Sequence, residues 1–213
     1  MIKPQIADKL HKSLEQVEQD MEHLRKFAIE SGAADAKVIP TSLIEVDERA
    51  RYKCMYPPCR WYGSSAICPP HLKLTPDVTE RLVGKYKYGI LIKLEMPPAH
   101  LAGPEWTELH KPHELKLKEV VAGVMGEAFN MGYHLNLGFA AGECSICLPK
   151  GLECTAIHGM CRDPFKAIPA MEAAGIDVFT TVRNVGWEIY PIGATTELTD
   201  VPCAGLYGLV LVH

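Results

Sequence analysis

This sequence has little of what marks nucleotide-binding, nucleic-acid-binding or membrane proteins. It holds no Gly-x-Gly-x-x-Gly run and no phosphate-loop pattern, so nothing in it supports nucleotide binding. Its 22 lysines and arginines are outnumbered by 26 aspartates and glutamates, a formal net charge of −4. That balance gives no reason to expect nucleic acid or an anionic membrane as partner. The longest apolar run, Gly205 to Val212, is far too short to span a bilayer. The opening Met1-Ile2-Lys3-Pro4-Gln5 leads into a charged helix without the apolar core of a signal peptide, which places the protein in the cytoplasm. No repeat and no low-complexity stretch is present.

Cysteine, by contrast, is abundant and clustered. Cys54, Cys59 and Cys68 form one group, Cys144, Cys147, Cys154 and Cys161 a second, and Cys203 stands apart. Disulfides are uncommon in the cytoplasm, so thiols gathered at short spacing read as metal ligands or catalytic groups. Buried hydrophobic packing is the plain alternative; it suits Cys203 and suits seven clustered cysteines poorly.

At 213 residues the chain is long enough for one well-buried domain. Ile6, Leu10, Leu14, Val17, Met21, Leu24 and Phe27 recur every three or four residues between charged positions, an amphipathic helix stopped at Gly32. Ala36 to Val46 reads as a strand broken by Pro40. Thr75-Pro76-Asp77 opens a helix that ends near Gly84. Tyr88 to Met96 is an apolar strand, and a polar loop follows from Ala99 to Lys111. Glu114 to Met131 is a second long helix ended by Gly132, with Tyr133 to Phe139 the next strand. Short helical pieces follow at Ala170 to Ala174 and Asp177 to Asn184, capped by Gly175 and Gly186. Strands are expected at Trp187 to Ile192 and Leu206 to Val212. The order predicts an α/β (α+β) fold: a mixed sheet packed by helices, one domain over 1–213, with the cysteines in two cluster-binding loops.

The second group offers one short knuckle, Cys144-x2-Cys147, then Cys154 and Cys161 at longer intervals. A structural zinc site usually pairs two short knuckles. A cubane accepts ligands from a more spread loop, and Cys161-Arg162-Asp163-Pro164 has the cysteine-then-proline order of ferredoxin-type loops. Gly142, Gly151 and Gly159 would let backbone amides approach cluster sulfides. In the first group, Pro57-Pro58 and Pro69-Pro70 stiffen the chain around three thiols. Its fourth ligand is open between Cys203, which would complete two four-cysteine sites, His71, and no residue at all. In that last case Arg60, Trp61, Tyr62, Ser64 and Ser65 would line a substrate pocket. Arg51, Lys53 and Arg60 could offset a cluster's negative charge, or simply be solvated. His100, His110 and His113 read as exposed loop histidines, His158 as a bystander, and Lys111, Lys116 and Lys118 with Glu114 and Glu119 as a solvated helix face.

Together these segments resemble a prokaryotic family of predicted metal-binding proteins (domain of unknown function 2284). The likeness spans Cys54 to Val178: the three-cysteine segment with Tyr62-Gly63 and Cys68-Pro69-Pro70, then Cys144-x2-Cys147, Cys161-Arg162-x-Pro164, and Met171-Glu172-Ala173-x-Gly175-Ile176-Asp177-Val178. Members often carry a further cysteine three residues after the second; here that position is Lys150, and Cys154 stands in its place. Alanine also replaces a common serine at Ala170. The resemblance implies iron–sulfur binding in the cytoplasm of anaerobe-rich lineages and no settled reaction.

Three readings follow. The first is an iron–sulfur protein with two 4Fe–4S clusters on the eight cysteines, passing electrons to or from a redox partner protein. The second is an enzyme whose three-cysteine cluster leaves one iron open to a small-molecule substrate. The third is a zinc-stabilised binding module. No nucleic-acid or membrane partner is expected, and a homo-oligomer stays open.

Overall fold

A computed structural model describes residues 12–102, 105–193 and 196–213. Helix α1, Leu14–Glu30, begins at a capping box: the Gln16 amide donates to Ser13 Oγ at 3.2 Å and the Ser13 amide to Gln16 Oε1 at 2.8 Å. Val17, Met21, Leu24 and Ala28 form its buried stripe. Ile6 and Leu10, expected on the same helix, lie outside the described residues. The chain leaves α1 through Gly32 at φ 107°, a conformation that favours glycine.

Four strands follow: β1 Asp35–Pro40, β2 Tyr88–Met96, β3 Leu137–Phe139 and β4 Ala204–Leu211. They form one sheet in the order β1-β2-β4-β3. Val38 faces Ile90, Ile90 faces Val210, and Gly138 also faces Val210. The fold is α+β as expected, but all three strand pairings are antiparallel rather than mixed. Among the described residues the one parallel contact is the isolated bridge between Ala140 and Ala170.

Strand alternation sends side chains to two buried faces. Ile90, Ile92, Leu94 and Val210 pack under α1 and the long helix α6, Lys111–Asn130. Leu91, Leu209, Leu211 and Phe139 pack under Ile176, Val178 and Val182. Helix α6 approaches the sheet closely because two facing positions are glycine. A Cβ at Gly208 would stand 2.7 Å from Val121, and one at Gly138 would meet Val121 at 2.9 Å and collide with Met125.

The remaining helices are α2 Glu48–Met55, α3 Pro76–Val83, α4 Ala99–Ala102, α5 Trp106–Leu109 and α7 Val178–Asn184. None among the described residues is long and apolar enough to cross a membrane. Several expected boundaries shift. The Ala36–Val46 strand stops at Pro40, and Thr41–Leu43 is a 3-10 turn. The expected polar loop after Met96 contains α4 and α5. Tyr133–Asn136 is a turn, so β3 is short. Trp187–Ile192 pairs with no strand; Trp187 instead donates its indole N–H to Asp35 at 3.0 Å. At α3, proline stands at the expected first position, but the Thr75 hydroxyl bonds the Asp77 carboxylate and not a helix amide.

Met171 to Val178 is a structural clamp. The Asp47 amide donates to the Gly175 carbonyl at 2.8 Å, and the Asp177 amide to Glu45 at 2.9 Å. This pins the start of α2 to the lower core. Gly175 holds φ 88° and lies against Pro76, where a Cβ would sit 2.8 Å from the proline ring.

Candidate metal centre

The first cysteine is on a helix, not a loop. Asp47 caps α2 by accepting from the Arg49 amide at 2.8 Å, and Arg51 and Cys54 follow one turn apart. Arg51 is buried and donates to three carbonyls, Leu72 at 2.9 Å, Leu74 at 2.8 Å and Ala173 at 2.6 Å. It is therefore not solvated: it knits α2 to the two segments that flank the site, and its charge acts on Cys54. Beyond α2 the Cys59 amide donates to the Cys54 carbonyl at 3.1 Å. The Trp61 amide donates to Cys59 Sγ at 3.3 Å, and the Gly63 amide closes the loop on the Pro69 carbonyl at 2.7 Å. The Tyr56–Pro57 and Pro69–Pro70 peptide bonds are both cis.

Cys54, Cys59 and Cys68 lie on the wall of one cavity of about 520 Å³. Arg60, Trp61 and Tyr62 share that wall, as expected. Ser64 and Ser65 do not: Ser64 bonds the Trp61 carbonyl at 2.6 Å, and Ser65 is fully buried. The Ser65 hydroxyl finds no hydrogen-bond partner among the described residues. His71 is absent from the residues lining the cavity.

The lining also includes Trp106, His110, Lys111 and Glu114 from α5, α6 and the residue between them, and Glu143 just before the second cysteine group. Here the expectation of a solvated helix face fails. Lys118 is buried and donates to the Glu143 carbonyl at 2.5 Å. Glu114 is largely buried, 3.6 Å from His110 Nε2, and burial pushes its carboxyl up to about 7. Burial likewise pulls the Lys118 ammonium down, while Glu114, Glu143, Cys144 and Cys68 pull it back. Gly142 is required by this cluster, since a Cβ there would collide with the Glu114 carboxylate. One signal was available in the sequence: His110, Glu114 and Lys118 are spaced by four, a polar row beside the apolar row Leu117, Val121, Val124 and Ala128.

The second group lies against the first. The Ala66 amide, between Cys59 and Cys68, donates to Cys154 Sγ at 3.4 Å. Cys144 is an electrostatic neighbour of Cys68, and Cys147 and Cys154 are neighbours of Cys144. Arg162 donates to Cys147 Sγ at 3.0 Å and to the Glu153 carbonyl at 2.8 Å. Cys161 is partly exposed. Cys203 stands near Tyr190 and Tyr207; the Glu188 carboxylate is the main cause that raises the Tyr190 hydroxyl, and burial is the main cause that raises Tyr207, with Cys203 a lesser contributor to each. Two of the three loop histidines pair, His100 Nδ1 lying 3.0 Å from His113 Nε2, and of the three His110 lines the cavity.

All eight cysteines are free thiols. Burial, with Cys59, Glu172 and Cys68 nearby, pushes the Cys54 thiol up to about 11. Burial also raises Cys68 and Cys144. A desolvated thiol ionises when a metal takes its proton's place, so such groups suit metal ligation better than free nucleophilic chemistry. Among the described residues, no three Cys, His, Asp or Glu side chains form a ready-made site for a single ion. The donor set nonetheless fits a thiolate-bound centre: soft sulfurs, amide and guanidinium donors aimed at them, and the buried Ser65 hydroxyl beside the Cys68 thiol.

A family model described as predicted metal-binding protein (DUF2284) matches residues 37–212. The chain belongs to this family. No curated protein and no solved structure matches it. The match spans both cysteine groups, Cys203 and α6.

Proposed function

We propose that this is a cytoplasmic iron–sulfur protein that carries two adjoining 4Fe–4S clusters and passes electrons to or from a redox partner protein. The observation that carries the reading is the meeting of the two cysteine groups, with the Ala66 amide of the first on the Cys154 sulfur of the second. Cys54, Cys59 and Cys68 would hold one centre, and Cys144, Cys147, Cys154 and Cys161 the other. When bound, such clusters supply reversible one-electron redox couples whose potentials follow hydrogen bonds to sulfur, net charge and solvent exposure. The chain's own contribution is then electrostatic. Arg162 and the Ala66 and Trp61 amides donate to sulfurs and favour the reduced, more negative state. The buried Lys118 adds positive charge between Cys68 and Cys144.

Electron paramagnetic resonance of the dithionite-reduced, anaerobically purified protein tests the pairing. Two centres this close give spectra broadened by magnetic interaction, which Cys147→Ser simplifies to one isolated signal. Two signals unaffected by each other's loss would contradict the adjacency.

A second reading is favoured by the cavity. Its wall presents three thiols, a set that leaves one coordination position for a small-molecule donor, as in other open metal sites. The volume falls in the range of small-molecule sites. Cyanide or a small thiol that perturbs one cluster's spectrum and not the other's supports it; two indifferent clusters exclude it.

A further inference from the structure

The cavity beside Cys54, Cys59 and Cys68 has a chemical polarity of its own. Arg60 lines it with its guanidinium 5.4 Å from the Trp61 ring centroid, and makes no ion pair and no hydrogen bond among the described residues. Lys53 also lines it, within electrostatic reach of Glu172 but without an ion pair among the described residues, its ammonium 6.0 Å from the Phe179 ring. The third cation, Lys111, is already held by Glu108 at 2.9 Å. Three carboxylates line the cavity as well: Glu114, beside His110 and Lys118; Glu143; and Glu172, near Lys53. Between these poles the surface is mostly apolar, with the indoles of Trp61 and Trp106 both on it.

Two unpaired cations beside aromatic surface are complementary to an anion with an apolar body. A guanidinium offers a planar fork that matches a carboxylate through two parallel N–H···O bonds, which an ammonium cannot do. Arg60 already stacked on an indole loses little freedom when it engages such a group. We infer that this cavity is the binding site for a small organic carboxylate with an apolar, ring-sized body, its carboxylate taken by Arg60 and Lys53 and its body laid against Trp61 and Trp106. The inference rests on the open-position reading of the first cysteine group and names the class of molecule that would enter there. The net effect of the two cations is selection: a neutral amide of the same shape gains the apolar contact and forfeits the charged one.

Equilibrium dialysis of the anaerobically purified protein against radiolabelled benzoate is the test, with benzamide and benzylamine as matched neutral and cationic probes. Benzoate is expected to bind saturably at one site per chain, with benzamide weaker by about tenfold or more, the loss of one charge-assisted contact. Benzylamine should not compete. Arg60→Gln is expected to weaken benzoate by a similar factor and to leave benzamide unchanged, while Trp106→Ala weakens both. Lys26→Gln, on the far surface of α1, changes neither. Equal binding of benzoate and benzamide, uptake without saturation, or benzoate affinity unaltered in Arg60→Gln would each overturn the proposal. Iron and sulfide measured on the same sample separate the two ideas. Selective benzoate binding to a chain without iron keeps the ligand assignment and removes the cluster; a full cluster content with no benzoate selectivity does the reverse.

Discussion

The amide of Ala66 donates to the sulfur of Cys154 at 3.4 Å, so a residue of the first cysteine segment touches a thiol of the second. Centres held by the two groups would therefore adjoin. Cys68→Ser is expected to remove one centre and to shift the spectrum of the other, because Cys68 also neighbours Cys144. Metal analysis and spectroscopy of the variant check this; loss of one centre with the other's spectrum unchanged from the wild type would show independent sites.

Cys203 sits beside Tyr190 and Tyr207 at the start of β4. Cys203→Ala is expected to retain full metal content and an unchanged spectrum. Loss of one centre in that variant would make Cys203 its fourth ligand and remove the open position.

Arg51 holds the carbonyls of Leu72, Leu74 and Ala173. Arg51→Met leaves three acceptors without their donor and should cost about 3 kcal/mol, since hydrogen bonds from a charged group contribute more than neutral ones and buried acceptors are costly to strand. Urea denaturation of the metal-free protein reads the cost. Weaker metal retention should accompany it, because the same contacts place Cys54.

Much of this arrangement was legible in the residues and some was not. Strand β2 falls on its expected bounds because Tyr88 to Met96 is a nearly unbroken apolar run closed by two prolines. Strand β3 is shorter than its apolar pattern because Asn136 turns back, donating to the Tyr133 carbonyl at 2.8 Å and to Met125 at 3.1 Å. The cysteine grouping was visible in spacing, but spacing within each group says nothing of the contact between groups, which depends on tertiary packing. The burial of Glu114 and Lys118 was hidden for a similar reason. Charged residues at helical spacing usually face water, and only the placement of Gly142 and Glu143 over α6 covers these two.

Glu114 gives the protein a pH signature. Its carboxyl is raised from 4.5 to about 7 by burial. The folded state therefore keeps a proton that the unfolded chain has released, and stability falls as pH rises from about 4.5 to about 7. In metal-free protein, Glu114→Gln should remove this part of the decline. Chemical denaturation across that window, wild type against variant, compares the two slopes; parallel slopes would place the ionisation elsewhere.

Gly138 lies where α6 presses on the sheet. Gly138→Ala must displace Met125 and Val121, and overpacking of this kind costs about 1–3 kcal/mol. The loss should appear in thermal unfolding while metal content stays at the wild-type level, which separates the fold from the site.

The most direct test of the whole account is the iron and acid-labile sulfide content of the protein purified without oxygen. Two 4Fe–4S clusters predict a brown protein with about eight irons and an equal amount of sulfide per chain. A colourless protein loaded with zinc, or one with no bound metal, would contradict it.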